Sequence, residues 1–165
     1  RYNEDQETAS GLSKLSTLMR FMLDKSDKTA VNLDEEIAYL KSYIEMQKLR
    51  FLKDDDVDIA FNIKGETNAF HVPPFLLINF VENAFKHGIE YQKPSHIDID
   101  LSVKEGKLYF NVKNTNHATQ KKLADPQTGI KNVEKRLALI YGNDYDLTIK
   151  SDQQKYQVKL VIKSM

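Results

Sequence analysis

The chain has 165 residues, and its 24 basic and 24 acidic side chains cancel, so nothing in the charge balance asks for nucleic acid or an anionic membrane surface. At 41% hydrophobic and 29% charged, the composition is that of one compact globular domain with length left for a helical extension. There is no cysteine, which excludes disulfides, thiol catalysis and thiolate metal sites. The four histidines show no zinc-ligand spacing, no signal peptide opens the chain, and no apolar run approaches the roughly 18 residues of a membrane span.

Two helices come first. Leu12, Leu15, Met19 and Met22 are spaced as an a/d seam, widened by Leu18 and Leu23, and this face needs a helical partner in the same chain or in a second copy. Asn32 with Glu35 predicts a capping box, followed by a stripe of Leu33, Ile37, Leu40 and Ile44. Beyond a charged linker at 53–56 the period changes to two. Val57, Ile59, Phe61 and Ile63 alternate as a strand, with Gly65 in the following loop. Pro73 and Pro74 are expected to open the next helix, since proline is tolerated in a first turn. Ile97, Ile99, Leu101 and Val103 then alternate, the chain turns around Gly106, and Leu108, Phe110 and Val112 return as a hairpin. Ile130, Val133, Leu137 and Ile140 mark a further helix stopped near Gly142. Leu147 with Ile149, then Tyr156, Val158, Leu160 and Ile162, form a closing pair of strands. This order predicts an α+β fold, a mixed or mostly antiparallel sheet with helices on one face.

The stretch VENAFKHG, residues 81–88, carries the chemistry. At about 100° per residue, Asn79, Glu82, Asn83, Lys86, His87 and Glu90 share one helical sector, while Leu77, Phe80, Val81, Ala84, Phe85 and Gly88 share the opposite one. Asn83 offers a hard, neutral oxygen that suits Mg²⁺, and Lys86 a compact charge for phosphate oxygens. An ordinary half-buried helix with a solvated polar face has the same spacing.

The literal motif, with its neighbours, resembles the N box of sensor histidine kinases, within the wider ATP-binding family that also contains gyrase. The subfamily it resembles is the LytS-type, LytTR-associated kinases. Four blocks match in order: Leu15, Leu18, Arg20 and Leu23; then Leu33, Glu35, Glu36, Tyr43, Ile44, Arg50 and Phe51; then Pro73, Pro74 and residues 81–88; then Gly129, Asn132, Arg136, Leu137 and Tyr141. The resemblance implies a two-layer α/β sandwich of the Bergerat type with an N-terminal helical dimerisation segment. It implies residues 1–52 as the later part of the dimerisation and phosphotransfer helices with the linker helix, and 53–165 as the ATP-binding domain. The cofactors would be ATP and Mg²⁺, with Asn83 holding the metal, Lys86 and His87 the phosphates, Asn114 the adenine, and Gly129 with Asn132 the second phosphate loop. Glu82 and Asn79 would act in catalysis. The segment 115–128 is the candidate lid over the nucleotide.

Three departures from the family pattern stand out. Asn114 replaces the adenine-reading aspartate, which removes the charge that strengthens that hydrogen bond. Gln127 stands where the second box has its first glycine, leaving Gly129 alone before the helix. Asn79, where many relatives carry an acid or glutamine, is a poor general base, which fits phosphotransfer better than fast ATP hydrolysis. Arg50 and Arg136 are readable as phosphate clamps or as surface ion-pair partners, and His71, His96 and His117 are expected to be solvated. The phosphoacceptor histidine of relatives lies in an H-F-L-F-N context that is absent here, so the chain is expected to be a fragment unable to phosphorylate itself. The implied partners are a second copy through the N-terminal helices and a response regulator of the LytTR type. The implied location is the cytoplasmic side of an inner-membrane sensor, with membrane contact only through upstream segments. A degenerate kinase serving as a scaffold, and a gyrase-type clamp driven by hydrolysis, are the alternatives.

Overall fold

A computed structural model describes residues 2–51, 55–117 and 128–163. Helix α1 spans Tyr2–Lys25 and packs against α2, Leu33–Lys48. The capping box at Asn32 is present: its side chain accepts the Asp34 amide at 2.8 Å while Glu35 reaches back to the Asn32 amide. Glu35 also bonds Lys25 at the end of α1, tying the two helices together where the chain turns. The predicted stripe Leu33, Ile37, Leu40 and Ile44 is buried. The α1 seam is split. Leu18 is buried against the rest of the molecule, whereas Leu12, Leu15, Met19, Met22 and Leu23 face solvent.

The remainder is a five-stranded mixed sheet with helices on one face, as the period changes predicted. Its order is β2-β4-β5-β7-β6, built from β2 (Val57–Lys64), β4 (Ser95–Lys104), β5 (Lys107–Thr115), β6 (Tyr145–Ser151) and β7 (Lys155–Ile162). The β2–β4 pair is parallel and the others antiparallel. Glu105 and Gly106 both have positive φ, the mirror-image turn that matches hairpin twist. The inner face buries Ile97, Ile99, Leu101, Leu108, Phe110, Val112, Val158, Leu160 and Ile162 beneath the helices. The outer face is a polar ladder: Asn62 donates to Asp100 at 3.0 Å, and Gln157 to Asn111 at 2.7 Å.

Helix α3, Ile78–Gly88, packs across β4 and β5, and α4, Thr128–Tyr141, packs against α3 and β6. In α4, Ile130, Val133 and Leu137 are buried, but Ile140 is exposed and Tyr141 takes the inward place before Gly142 ends the helix at φ 57. A two-residue pairing of β1 (Val31–Asn32) with β3 (His71–Val72) was not expected; it fastens the start of α2 to the segment before α3. The expected proline start of α3 is corrected as well. Pro73 and Pro74 precede the helix, Phe75 sits at φ 60, and regular helix begins only at Ile78. A left-handed residue cannot continue a right-handed turn, so the prolines end the extended segment instead of opening the helix.

Candidate functional site

The two faces predicted for α3 are observed. Phe80, Val81, Ala84, Phe85 and Gly88 are buried, Asn79, Asn83 and His87 are half-buried, and Glu82 and Lys86 are exposed. The core side is fixed partly by Phe80, whose ring lies 6.2 Å from that of Phe110 on β5. At the far end α3 comes so close to β5 that a methyl at Gly88 would lie 2.6 Å from Asn114 Cβ and 2.8 Å from its Nδ2. Glycine is required there by space.

That contact brings Asn114 to the end of the helix carrying Asn83. Asn114 is only 3% exposed; its Nδ2 donates to the Thr115 carbonyl at 2.8 Å, while its Oδ1 is buried without a partner among the described residues. A buried acceptor left unpaired is costly and is usually explained by a group that completes it. An adenine amino group has the matching donor, so the residues present fit the base of ATP on this point.

Glu82 and Lys86 lie on the side of α3 that turns towards α2. With Tyr43, Arg50, Phe85 and Tyr91 they line a cleft of about 330 Å³, in which Tyr43 and Phe85 meet edge to face at 5.8 Å. Desolvation in this cleft raises the Glu82 carboxyl above its ordinary pKa. Arg50, just past the end of α2, donates to Gln47 in its last turn at 2.8 Å and lines the same cleft as Lys86. Asn79 donates its amide to the Phe75 carbonyl at 2.5 Å and lies 3.5 Å from that of Leu76, which turns its donor back on the preceding turn. Gly129 and Asn132 are exposed at the start of α4, with open space around Gly129. Gln127 and nearly all of the candidate lid, along with the 52/53 boundary, lie outside the described residues.

Three expectations change. Arg136, open between a phosphate clamp and a surface ion-pair partner, is partly buried and donates Nη2 to the Pro74 carbonyl at 2.8 Å. His71 and His96 are exposed as expected, but His117 is not solvated: its side chain is 12% exposed, its Nε2 lies 2.9 Å from Ser95 Oγ, and its Nδ1 lies 3.8 Å from Glu90 Oε2. It fastens the end of β5 to the loop after α3. Glu36 was read only as a matching residue, yet it is wholly buried and accepts the Phe75 and Leu77 amides, both at 3.0 Å. A signal for it existed, because Glu36 lies between Leu33 and Leu40 on the apolar stripe of α2.

The family model described as histidine kinase matches residues 1–55. The sensor protein LytS of Bacillus cereus is 24% identical over 154 residues, covering 86% of this chain and 26% of the relative. The sensor histidine kinase BtsS of Escherichia coli is 30% identical over 154 residues, covering 92% of this chain and 27% of the relative. The chain thus spans about a quarter of the length of the curated relatives it matches. In fold it is similar to the histidine kinase domain of the Erythrobacter litoralis EL346 blue-light activated kinase, with a TM-score of 0.60 at 13% identity over 95% of this chain and 74% of that one. It is also similar to the catalytic domain of histidine kinase ThkA, with a TM-score of 0.55 at 18% identity over 83% of this chain and 98% of that one. Sequence and fold converge: in sequence the chain is similar to the LytS and BtsS sensor proteins, and it has the fold of a histidine kinase catalytic domain.

Proposed function

We propose that this chain is the ATP-binding catalytic domain of a LytS-like sensor kinase, supporting transfer of the γ-phosphoryl of ATP to a histidine. The observation that carries the reading is the buried Oδ1 of Asn114, without a hydrogen-bond partner among the described residues, on a side chain whose Cβ and Nδ2 lie against Gly88 at the last turn of the helix that bears Asn83. When bound, magnesium ATP supplies the phosphoryl group and the charge neutralisation that such transfer needs. Asn83 is the metal ligand, Lys86 and His87 orient phosphate oxygens, Asn114 accepts from adenine, and Gly129 and Asn132 border the phosphates from α4. Glu82, its carboxyl raised in pKa, holds or orients a proton-bearing group beside the phosphates, while neutral Asn79 does not activate water. Residues 1–52 are the helical dimerisation and linker part and 53–165 the nucleotide domain. The exposed Leu12, Leu15, Met19 and Met22 of α1 are the seam for a second copy. A response regulator of the LytTR type is the partner. No helix among the described residues is long and apolar enough to cross a membrane, and the domain is assigned to the cytoplasmic side of a membrane sensor.

The test is a titration with a non-hydrolysable ATP analogue, with and without Mg²⁺. Wild type binds, magnesium strengthens the binding, and Asn83→Ala removes the magnesium-dependent part while leaving the melting temperature almost unchanged, because the side chain faces the site. Equal magnesium dependence in both proteins would sink the assignment of Asn83.

A further inference from the structure

The turn leading into α3, residues 74–77, is gripped from three helices at once. From α2, Glu36 accepts the Leu77 amide on Oε1 and the Phe75 amide on Oε2, each at 3.0 Å. From α4, Arg136 donates to the Pro74 carbonyl at 2.8 Å. From α1, Phe21 meets the Phe75 ring edge-on at 5.5 Å, and Tyr39 of α2 meets it at 5.6 Å. Phe75 is held at φ 60 among these contacts, a conformation that a bulky side chain keeps only when its surroundings impose it. The N-cap residue of α3, Leu77, makes no side-chain cap, and its own amide is taken by Glu36 from α2.

We propose that Glu36 is a positioning residue that couples α1 and α2 to the nucleotide site, its two carboxylate oxygens setting where the helix bearing Asn83 begins. The inference rests on the assignment of Asn83 to the metal and phosphates. Each oxygen takes one amide of the turn, so an acceptor with a single oxygen satisfies one and turns its own N–H or O–H against the other. A shift of α1 against α2 then reaches Asn83 through a turn that has no slack, because Phe75 packs edge to face against Phe21 of one helix and Tyr39 of the other.

Protonation removes an acceptor in the same way. Burial raises the Glu36 carboxyl to about 7, opposed by the amides of Phe75 and Leu77 and by the Arg136 charge. The groups around it are the Arg136 guanidinium from α4, the Tyr39 hydroxyl on its own helix, and the uncharged amides of the turn. Lys25 at the end of α1 is paired with Glu35, the neighbour of Glu36 on α2.

Glu36→Gln in the full-length protein tests this, with binding of a fluorescent ATP analogue plus Mg²⁺ at pH 8 and amide hydrogen exchange without nucleotide. The variant binds about fivefold more weakly, exchanges faster over residues 75–83, and melts no lower than wild type. Wild-type affinity falls towards that of the variant between pH 8 and pH 6, while the variant changes less. Phe21→Ala, made on α1 away from the nucleotide residues, gives the same faster exchange at 75–83. The proposal is overturned if Glu36→Gln binds like wild type and leaves exchange over 75–83 unchanged. If wild type binds no nucleotide, the Asn83 assignment fails separately, and exchange decides: faster exchange in both variants supports the coupling, and unchanged exchange refutes it.

Discussion

The helix that bears Asn83 is held by different physics at its two ends. Its beginning hangs on hydrogen bonds from two other helices: the Glu36 carboxylate on the Phe75 and Leu77 amides, and Arg136 on the Pro74 carbonyl. Its end is fixed by steric contact, with Gly88 so near Asn114 that no side chain fits between. A hydrogen-bonded grip changes with charge and with movement of the helices that supply it, whereas a packed contact yields only by displacing its strand. The end beside Asn114 is therefore the fixed reference of the site and the beginning is the adjustable part.

The largest effect that breaks this contrast is expected at the beginning. The Glu36 carboxyl titrates near 7 in the folded protein against an ordinary 4.5, so the folded state keeps its proton after the unfolded chain has released it. The stability tied to this group is fully present below pH 4.5 and is lost as pH rises towards 7, by about 3 kcal/mol for such a difference. Urea unfolding of wild type and Glu36→Gln across pH 5 to 8 isolates the contribution of this carboxyl, since other titrating groups act alike in both. The variant gains stability over wild type as pH rises. Parallel profiles would mean that the carboxyl is better solvated than its burial indicates.

At the far end pH has no such role and volume decides. Gly88→Ala sets a methyl 2.6 Å from Asn114 Cβ, an overpacking of about 1–3 kcal/mol, offset by up to about 1 kcal/mol from the better helix propensity of alanine. A net loss of about 1–2 kcal/mol in thermal unfolding, nearly independent of pH, is expected, together with weaker nucleotide binding as Asn114 is pushed aside. A variant as stable as wild type and binding equally well would show that the helix end slides, and the contrast between the two ends would collapse.

How much of this was legible in the sequence follows the range of the interactions. The capping box at Asn32, the stripe of α2, the alternation of the five sheet strands and the two faces of α3 depend on neighbours a few residues away, and each is found where its period put it. The α4 stripe was read one residue short, because the spacing that buries Leu137 continues to Tyr141 and not to Ile140. What the periods could not reveal are contacts between distant segments. Phe75 is left-handed because of Phe21, Glu36 and Tyr39, none of which is near it in sequence. His117 is covered by Ser95 and Glu90 across the end of the sheet. Glu36 was hidden for another reason: an acid in the first turn of a helix is already explained by the helix dipole, which masked its place among Leu33 and Leu40. In the site, the motif placed Asn83, Lys86 and His87 on one polar sector, but the sequence held no sign that Glu82 and Lys86 share a cleft with Arg50.

The smallest effect sharpens the fixed end. Asn114 keeps its amide on the Thr115 carbonyl and leaves Oδ1 unpaired among the described residues. Asn114→Asp turns that acceptor into a carboxylate, and a charge-assisted bond to the adenine amino group is typically stronger than a neutral one by about 1 kcal/mol, roughly fivefold in affinity. The same change costs stability in the free protein, because it deletes the donor to Thr115 and sets a charge in a site only 3% exposed. The two consequences are separable: the melting temperature without nucleotide falls, while the rise produced by saturating ATP grows, and GTP gains much less because guanine presents a carbonyl where adenine has its amino group. Calorimetry with the two nucleotides reads the difference directly. If the substitution weakens ATP, or moves both nucleotides alike, Oδ1 does not meet adenine, and the contact between Gly88 and Asn114 positions the helix without reading the base.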